Sequence, residues 1–160
     1  RSSAASDVYK RQPWTLPSNL AVAVHPDVDY VLLAPAGQDG TAGERYLMAA
    51  ARVPAYAREL GEQPQVLRHL SGRELLGLRY TPPFDFFVGR ENAHQVLAAD
   101  YVTTEDGTGL VHIAPAFGEE DKEVTDAAGI ETVVPVDTRG EFTVEAVSYT
   151  HLTLPTSDLV

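Results

Sequence analysis

The sequence predicts a single α+β domain built round a barrel-like, mostly antiparallel sheet with short peripheral helices. Three observations point there. Short valine-rich stretches bounded by turn residues recur through the middle of the chain, Asp106-Gly107 sits between two apolar stretches, and only a few short segments carry helical spacing. With 160 residues, 44% of them apolar, the chain can bury one substantial core but is short for two ordinary domains.

Taken in order, Leu20 to Val24 and Asp29 to Ala34 run apolar with valine enrichment, and the turn-prone His25-Pro26-Asp27 separates them, so both are expected as strands. Gly37, Gly40 and Gly43 mark an exposed connection. From Glu44 to Leu60 the alanine-rich spacing argues for helix; Pro54 should split it, and its first part also reads as strand. Gln65 to Leu70 reads as a strand. Ser71 to Leu76 reads as a short helical turn, with Ser71 and Glu74 in capping-box spacing, and Leu78 to Tyr80 resumes extended structure before Pro82-Pro83.

His94 to Thr104 and Gly109 to Ala114 flank Asp106-Gly107, which suits a tight hairpin because glycine tolerates positive φ. Glu119 to Ala128 reads as a helix ended by Gly129, followed by a strand at Thr132 to Val136. Residues 1–12 (RSSAASDVYKRQ) and 145–160 (EAVSYTHLTLPTSDLV) are rich in Ser and Thr and lack a sustained apolar period, so they read as non-native extensions flanking a domain at 13–144.

Composition narrows the function. No run of about 18 apolar residues and no basic-then-apolar leader occurs, which leads to the expectation of a soluble, cytoplasmic protein with no membrane partner. Zero cysteines remove disulfides, cysteine nucleophiles and thiolate zinc sites. The 23 acidic against 12 basic residues give a net charge of −11, the wrong sign for attracting a polyphosphate backbone unaided. No G-x-S-x-G elbow, phosphate loop or H-E-x-x-H helix occurs, and the five histidines (His25, His69, His94, His112, His151) lack metal-ligand spacing, so no metal site is expected.

Two segments remain. In Pro13-Trp14-Thr15-Leu16-Pro17-Ser18-Asn19 two prolines four residues apart make a stiff, non-helical stretch that offers hydroxyls, an amide and backbone groups to a ligand. A Pro-bounded entry loop with Trp14 plugging the core explains it equally well. In Gly107 to Asp121, Leu110, His112 and Ala114 share one face of a strand. A histidine among apolar neighbours is as readily a satisfied core group. The acids Glu119-Glu120-Asp121 complement the positive end of a helix dipole, and a carboxylate there could also hold a substrate ammonium.

Together, in this order, the two segments resemble the editing insertion of the class I synthetases for isoleucine, valine and leucine. The family pattern is a threonine-rich run before P-W-T-L-P-x-N, and later G-T-G-x-V-H-x-A-P-A-F-G-x-x-D; residues 107–121 match the whole second motif. Phe84-Asp85-Phe86-Phe87 and Val134-Pro135-Val136-Asp137 are similar to further family landmarks. His112 with Ala116-Phe117-Gly118 resembles the isoleucine branch.

The resemblance implies hydrolysis, by direct water attack, of the ester joining misattached valine to the 3′ end of tRNA(Ile). Asp121 would bind the α-ammonium and take part in catalysis with Thr15. His112 would wall the side-chain pocket, and Asn19, Trp14 and Gly109 would help bind the terminal adenosine and ester. It implies no cofactor in this domain, ATP and Mg for the parent enzyme, which ligates isoleucine to its tRNA, and the rest of that synthetase as partner.

One departure stands out: Lys10-Arg11-Gln12 occupies the place of the threonine run. The rival readings are a non-catalytic module docking the tRNA 3′ end, or an inactive fragment; the editing domain of the valine enzyme; and an unrelated α+β binding domain.

Overall fold

The computed structural model describes residues 13–37, 45–82, 84, 86–134 and 138–139, the first two by their backbone alone. The expectations for residues 1–12 and 145–160, for Gly40, Gly43 and Glu44, for Pro83 and Asp85, and for Pro135-Val136-Asp137 lie outside them.

The elements run in order as a 3-10 helix Pro13–Ser18, β1 Ala21–Val24, β2 Asp29–Ala34, β3 Tyr46–Ala49, a 3-10 helix Ala50–Tyr56, α1 Ala57–Leu60, β4 Gln65–Ser71, α2 Gly72–Leu75, β5 Gln95–Ala98, β6 Leu110–Ile113 and α3 Glu119–Ala127. Among the described residues the strands pair as two three-stranded sheets, β5-β1-β6 and β3-β2-β4, rather than one closed ring. The α+β class with antiparallel pairing and short helices is as the sequence predicts. No described helix is long and apolar enough to cross a membrane.

The chain divides into two compact units, and the division falls within β1, β5 and β6. One unit takes 22–78 and 96–111. Its centre is β2, which is antiparallel to β3 (Tyr30 opposite Ala49, Leu33 opposite Tyr46) and to β4 (Tyr30 opposite Leu70), with an irregularity between Leu32 and Leu33. The two-residue strand period sends Tyr30 to one face, where it packs with Val24, Ala49, Leu75 and Val96. Val31 and Leu33 go to the other, with Met48 and Leu60. Each of the valine, leucine and methionine side chains among them contributes about 1.5–3 kcal/mol by leaving water.

Within the 44–60 stretch the described residues 45–60 resolve as strand then helix, with Tyr46 to Ala49 paired opposite β2. The tighter 3-10 turn accommodates Pro54, whose missing N–H forbids a longer α-helix there. The turn at Ser71 is capped as its sequence predicts, with Glu74 Oε2 accepting from the Ser71 backbone N–H at 2.7 Å.

The other unit takes the described residues of 1–21, 79–95 and 112–154. Leu20, Phe87, Ile113, Ala114, Ile130 and Val133 are buried in it. Leu20 N–H donates to Ile113 O at 3.0 Å, and its carbonyl accepts from His94 N–H at 2.7 Å. Helix α3 stops where Gly129 takes φ +72°, as expected for a C-terminal glycine.

Three expectations fail. Pro13 to Ser18 is helical where a non-helical stretch is expected, because proline's fixed φ suits a 3-10 turn, and the Ser18 hydroxyl closes it on Thr15 O at 2.8 Å. The hairpin at Asp106-Gly107 does not form: β5 and β6 each pair with β1 and not with each other. The dipeptide does mark a turn, with Gly107 at φ +63°. The carbonyls around it are taken by others. Arg52 donates to Gly107 O at 2.8 Å and Glu105 O at 3.1 Å, Ala49 N–H donates to Thr108 O at 2.7 Å, and the Tyr30 hydroxyl donates to Gly109 O at 2.7 Å. Lastly, residues 132–134 form no strand; Val133 is a buried apolar plug without ladder partners in the sheets.

Gly72 tests the packing of α2. A Cβ there would lie 2.0 Å from His25 O, a backbone atom that cannot swing away. Gly72→Ala should therefore cost about 1–3 kcal/mol or more, read as a lowered urea midpoint with unchanged slope; an unchanged midpoint would show that the 25–28 turn yields freely.

Candidate functional site

The site is built on one side chain. Asn19 leaves the 3-10 turn with its N–H bonded to Leu16 O at 3.0 Å and is only 5% exposed. A buried primary amide must find partners for two donor hydrogens and an acceptor oxygen. Asn19 Nδ2 donates to Ala21 O at 2.9 Å and meets His112 Nδ1 at 2.7 Å, while Oδ1 accepts from the Tyr80 hydroxyl. Its backbone carbonyl accepts from His94 Nε2 at 3.1 Å.

These bonds assign protons. The Ala21 carbonyl can only accept, so the amide nitrogen must face it, and the second N–H then points at His112. His112 Nδ1 must present a lone pair, which places the ring proton on Nε2. The Thr15 backbone forms a further hydrogen bond with the ring. His94 likewise carries its proton on Nε2, since its partner is a carbonyl.

Electrostatics agree with neutral rings. Burial pulls the His112 pKa below its ordinary 6.5, opposed by the Asp121 charge and the Thr15 backbone bond. Burial also lowers the His94 pKa; the bond to Asn19 O opposes this and the Arg79 charge adds to it. Burial pushes the Tyr80 phenol far up, so it stays a donor despite the opposing influence of Asn19.

His94 has φ +57° and Asn92 φ +58°, a region that costs a non-glycine residue free energy. The His94 backbone is held there from both sides, its N–H on Leu20 O at 2.7 Å and its carbonyl accepting from Tyr80 N–H at 3.1 Å. The Tyr80 and His94 rings meet edge to face, with centroids 5.9 Å apart. Both also line, with Arg79, Arg90 and Val88, an open cleft of about 240 Å³.

Asp121 sits in the first turn of α3, 5% exposed. Its Oδ2 accepts from Ala114 N–H at 3.0 Å, and its backbone carbonyl accepts from the Thr125 hydroxyl at 3.0 Å. The carboxylate thus ties the end of β6 to the start of α3, where the helix dipole favours negative charge.

Of the residues the sequence singles out, Thr15, Asn19, His112 and Asp121 lie within one unit, and Thr15, Asn19 and Asp121 all act on the His112 ring. The other two are placed otherwise. Gly109 has a packing reason to be glycine: at φ +81°, a Cβ would lie 2.5 Å from the Ala49 methyl. The Trp14 side chain is outside the described residues. Sequence reasoning misses Tyr80 and His94. His94 reads as one of five scattered histidines at the head of a strand, and nothing in Leu78-Arg79-Tyr80 separates a hub partner from an ordinary extended residue.

The His112 and His94 shifts have a stability consequence. Both pKa values are lower folded than unfolded, so below pH 6.5 the unfolded chain binds more protons and stability falls with pH. The contribution is complete above 6.5 and lost as pH drops toward the folded values. Urea midpoints measured from pH 7.5 down to 5 should decline, and His112→Gln should flatten the decline; an equal slope in the variant would remove His112 from the effect.

No protein-family model matches the chain. It is 61% identical over 136 residues to the isoleucine–tRNA ligase of Nocardia farcinica and 55% identical over 142 residues to that of Mycobacterium tuberculosis, covering 85% and 89% of this chain. The Bdellovibrio bacteriovorus isoleucine–tRNA ligase is 45% identical over 139 residues. The chain spans 13% of the length of each. Among solved structures, GlLeuRS-CP1 superposes with a TM-score of 0.57 at 16% identity, covering 91% of this chain and 68% of that one. The P. knowlesi cytosolic leucyl-tRNA synthetase editing domain gives a TM-score of 0.54 at 16% identity, covering 69% of this chain and 44% of that one.

Proposed function

We propose, from the premise that this chain is a segment of the isoleucine–tRNA ligase family with the fold of the synthetase editing domains, that it hydrolyses valine misattached to the 3′ end of tRNA(Ile). The observation that carries this reading is the cluster of Thr15, Asn19, His112 and Asp121. Two distant motif segments supply these residues, and they meet around one neutral imidazole.

A second site is needed because one missing methylene yields only ~1–3 kcal/mol of discrimination, a general magnitude for which the synthetic site of the isoleucine enzyme is itself the standard example. Editing inverts the steric test: the pocket admits valine and rejects isoleucine. His112 serves as the wall. Neutral and half-buried, its ring adds bulk without drawing water. Asp121 holds the α-ammonium by a charge-assisted hydrogen bond. Thr15 meets the His112 ring through its backbone, and Asn19 orients it. An aminoacyl ester is already a reactive electrophile, so a positioned water attacks its carbonyl directly. The carbon–oxygen bond to the ribose breaks, the ribose oxygen takes the proton, and valine leaves as the free acid.

The domain spans residues 13–144, with 1–12 and 145–160 as non-native extensions. It works in the cytoplasm beside the rest of the synthetase, which uses ATP and Mg to ligate isoleucine. A second reading rests on Lys10-Arg11-Gln12 standing where the family has threonines: the chain as it stands binds the aminoacylated 3′ end without cleaving it. Measuring valine release by this chain, beside its binding of a non-hydrolysable valyl-adenosine, separates the two readings.

In a variant with threonines at positions 10–12, Asp121→Ala should slow hydrolysis of valyl-tRNA(Ile) by about 10- to 100-fold, the worth of one hydrogen bond to a charged group. Unchanged turnover would take Asp121 out of the chemistry. In the same background His112→Ala should open isoleucyl-tRNA(Ile) to hydrolysis, gaining at least about 10-fold over the parent. Continued protection of that ester would refute the wall.

A further inference from the structure

We infer that Tyr80 is a positioning residue: by donating to Asn19 Oδ1 it locks the Asn19 amide, and through that amide it fixes the tautomer and the orientation of the His112 ring. The chain of constraint is short. An asparagine amide can in principle turn over, exchanging oxygen and nitrogen. In this protein two groups oppose the turn. Ala21 O, which only accepts, demands the nitrogen on its side; the Tyr80 hydroxyl, held as a donor in its buried setting, demands the oxygen on the other. With both satisfied, the remaining amide hydrogen has one direction, His112 Nδ1 at 2.7 Å.

Tyr80 is itself held. Its N–H donates to His94 O at 3.1 Å, its ring packs edge-on against the His94 ring at 5.9 Å between centroids, and His94 Nε2 donates to the Asn19 carbonyl at 3.1 Å. Asn19 is therefore gripped at its backbone by His94 and at its side chain by Tyr80, two residues from one segment of chain in the same unit. The hydroxyl acts through Asn19 and needs no contact with substrate. Any effect on selectivity rests on the proposed role of His112 as pocket wall; the effect on the ring does not.

The experiment uses this chain labelled with 15N-histidine, observed by NMR at neutral pH, alone and as Tyr80→Phe. The His112 signals of the parent should show Nδ1 unprotonated and Nε2 protonated. In Tyr80→Phe, with other resonances in place, they should move toward a mixture of tautomers. A parent ring protonated at Nδ1 overturns the inference without any variant, as does a Tyr80→Phe spectrum with His112 unmoved.

Should Tyr80→Phe disturb folding, Tyr80→Leu extends the test, since it removes the same hydroxyl with a smaller side chain. Binding of non-hydrolysable valyl- and isoleucyl-adenosine is measured on the same samples. A tautomer shift with a narrowed preference for the valyl compound sustains the inference and the wall together. A tautomer shift with the preference unchanged sustains Tyr80 as positioning residue and overturns the wall.

Discussion

A buried primary amide with every hydrogen-bonding position engaged sets the rest of this structure. Asn19 is 5% exposed, and leaving one of its polar atoms without a partner would cost about 1–3 kcal/mol. Its neighbours are correspondingly specific. A carbonyl two residues on, an imidazole from β6, a phenol from the 78–80 stretch and a second imidazole beside β5 all converge on it. None of these partners can be exchanged without reassigning protons elsewhere, and that interdependence makes a polar core fix one arrangement. The 3-10 turn Pro13–Ser18 delivers the residue. Proline stiffness and the Ser18 hydroxyl on Thr15 O, at 2.8 Å, close the turn just before Asn19 engages its own groups.

The second unit follows the same physics with different atoms. The loop before β6 carries carbonyls that lie outside the strand ladders, and they are collected one by one by Arg52, Ala49 and Tyr30. Tyr30 serves both purposes of an amphipathic aromatic: its ring fills the core against Val24 and Leu75, and its hydroxyl donates to Gly109 O at 2.7 Å. Gly109 is required there because its α-carbon lies against Ala49 at φ +81°. Within G-T-G-L-V-H, the glycine belongs to the packing of one unit and the histidine to the polar cluster of the other.

What can be read in advance follows from the range of each interaction. β2, β4 and the Ser71 cap obey local rules, hydrophobic period and side-chain capping within a few residues, and they appear where the sequence puts them. The expected hairpin fails because a turn dipeptide reports only the turn. Whether the flanking strands pair depends on which strand competes for them, and β1, more than seventy residues before β5 in the chain, wins both. The entry segment is helical against expectation because two prolines exclude only the α form, not the 3-10 turn. In the site, the residues on motifs are legible and their partners are not. Tyr80 and His94 act through tertiary hydrogen bonds to a residue sixty or more positions away, and the positive φ that aims His94 leaves no mark in its neighbours' identities.

A wall that sorts side chains by one methylene must be placed more firmly than the difference it measures. A histidine free to change rotamer would swing its ring by several ångströms, far more than the girth separating valine from isoleucine, and the sieve would average away. The ring of His112 is instead held by Asn19 at Nδ1 and by a separate hydrogen bond with the Thr15 backbone, and it feels the Asp121 charge. Charge is controlled as tightly as position. A second proton would land on Nδ1, facing the Asn19 N–H donor, and burial opposes it, while the Asp121 charge and the Thr15 backbone bond pull the other way. Desolvation outweighs both, which leaves the ring's pKa below its ordinary value. The same network that lets the amide be buried therefore makes the imidazole an inert piece of bulk, the property the proposed sieve requires of it.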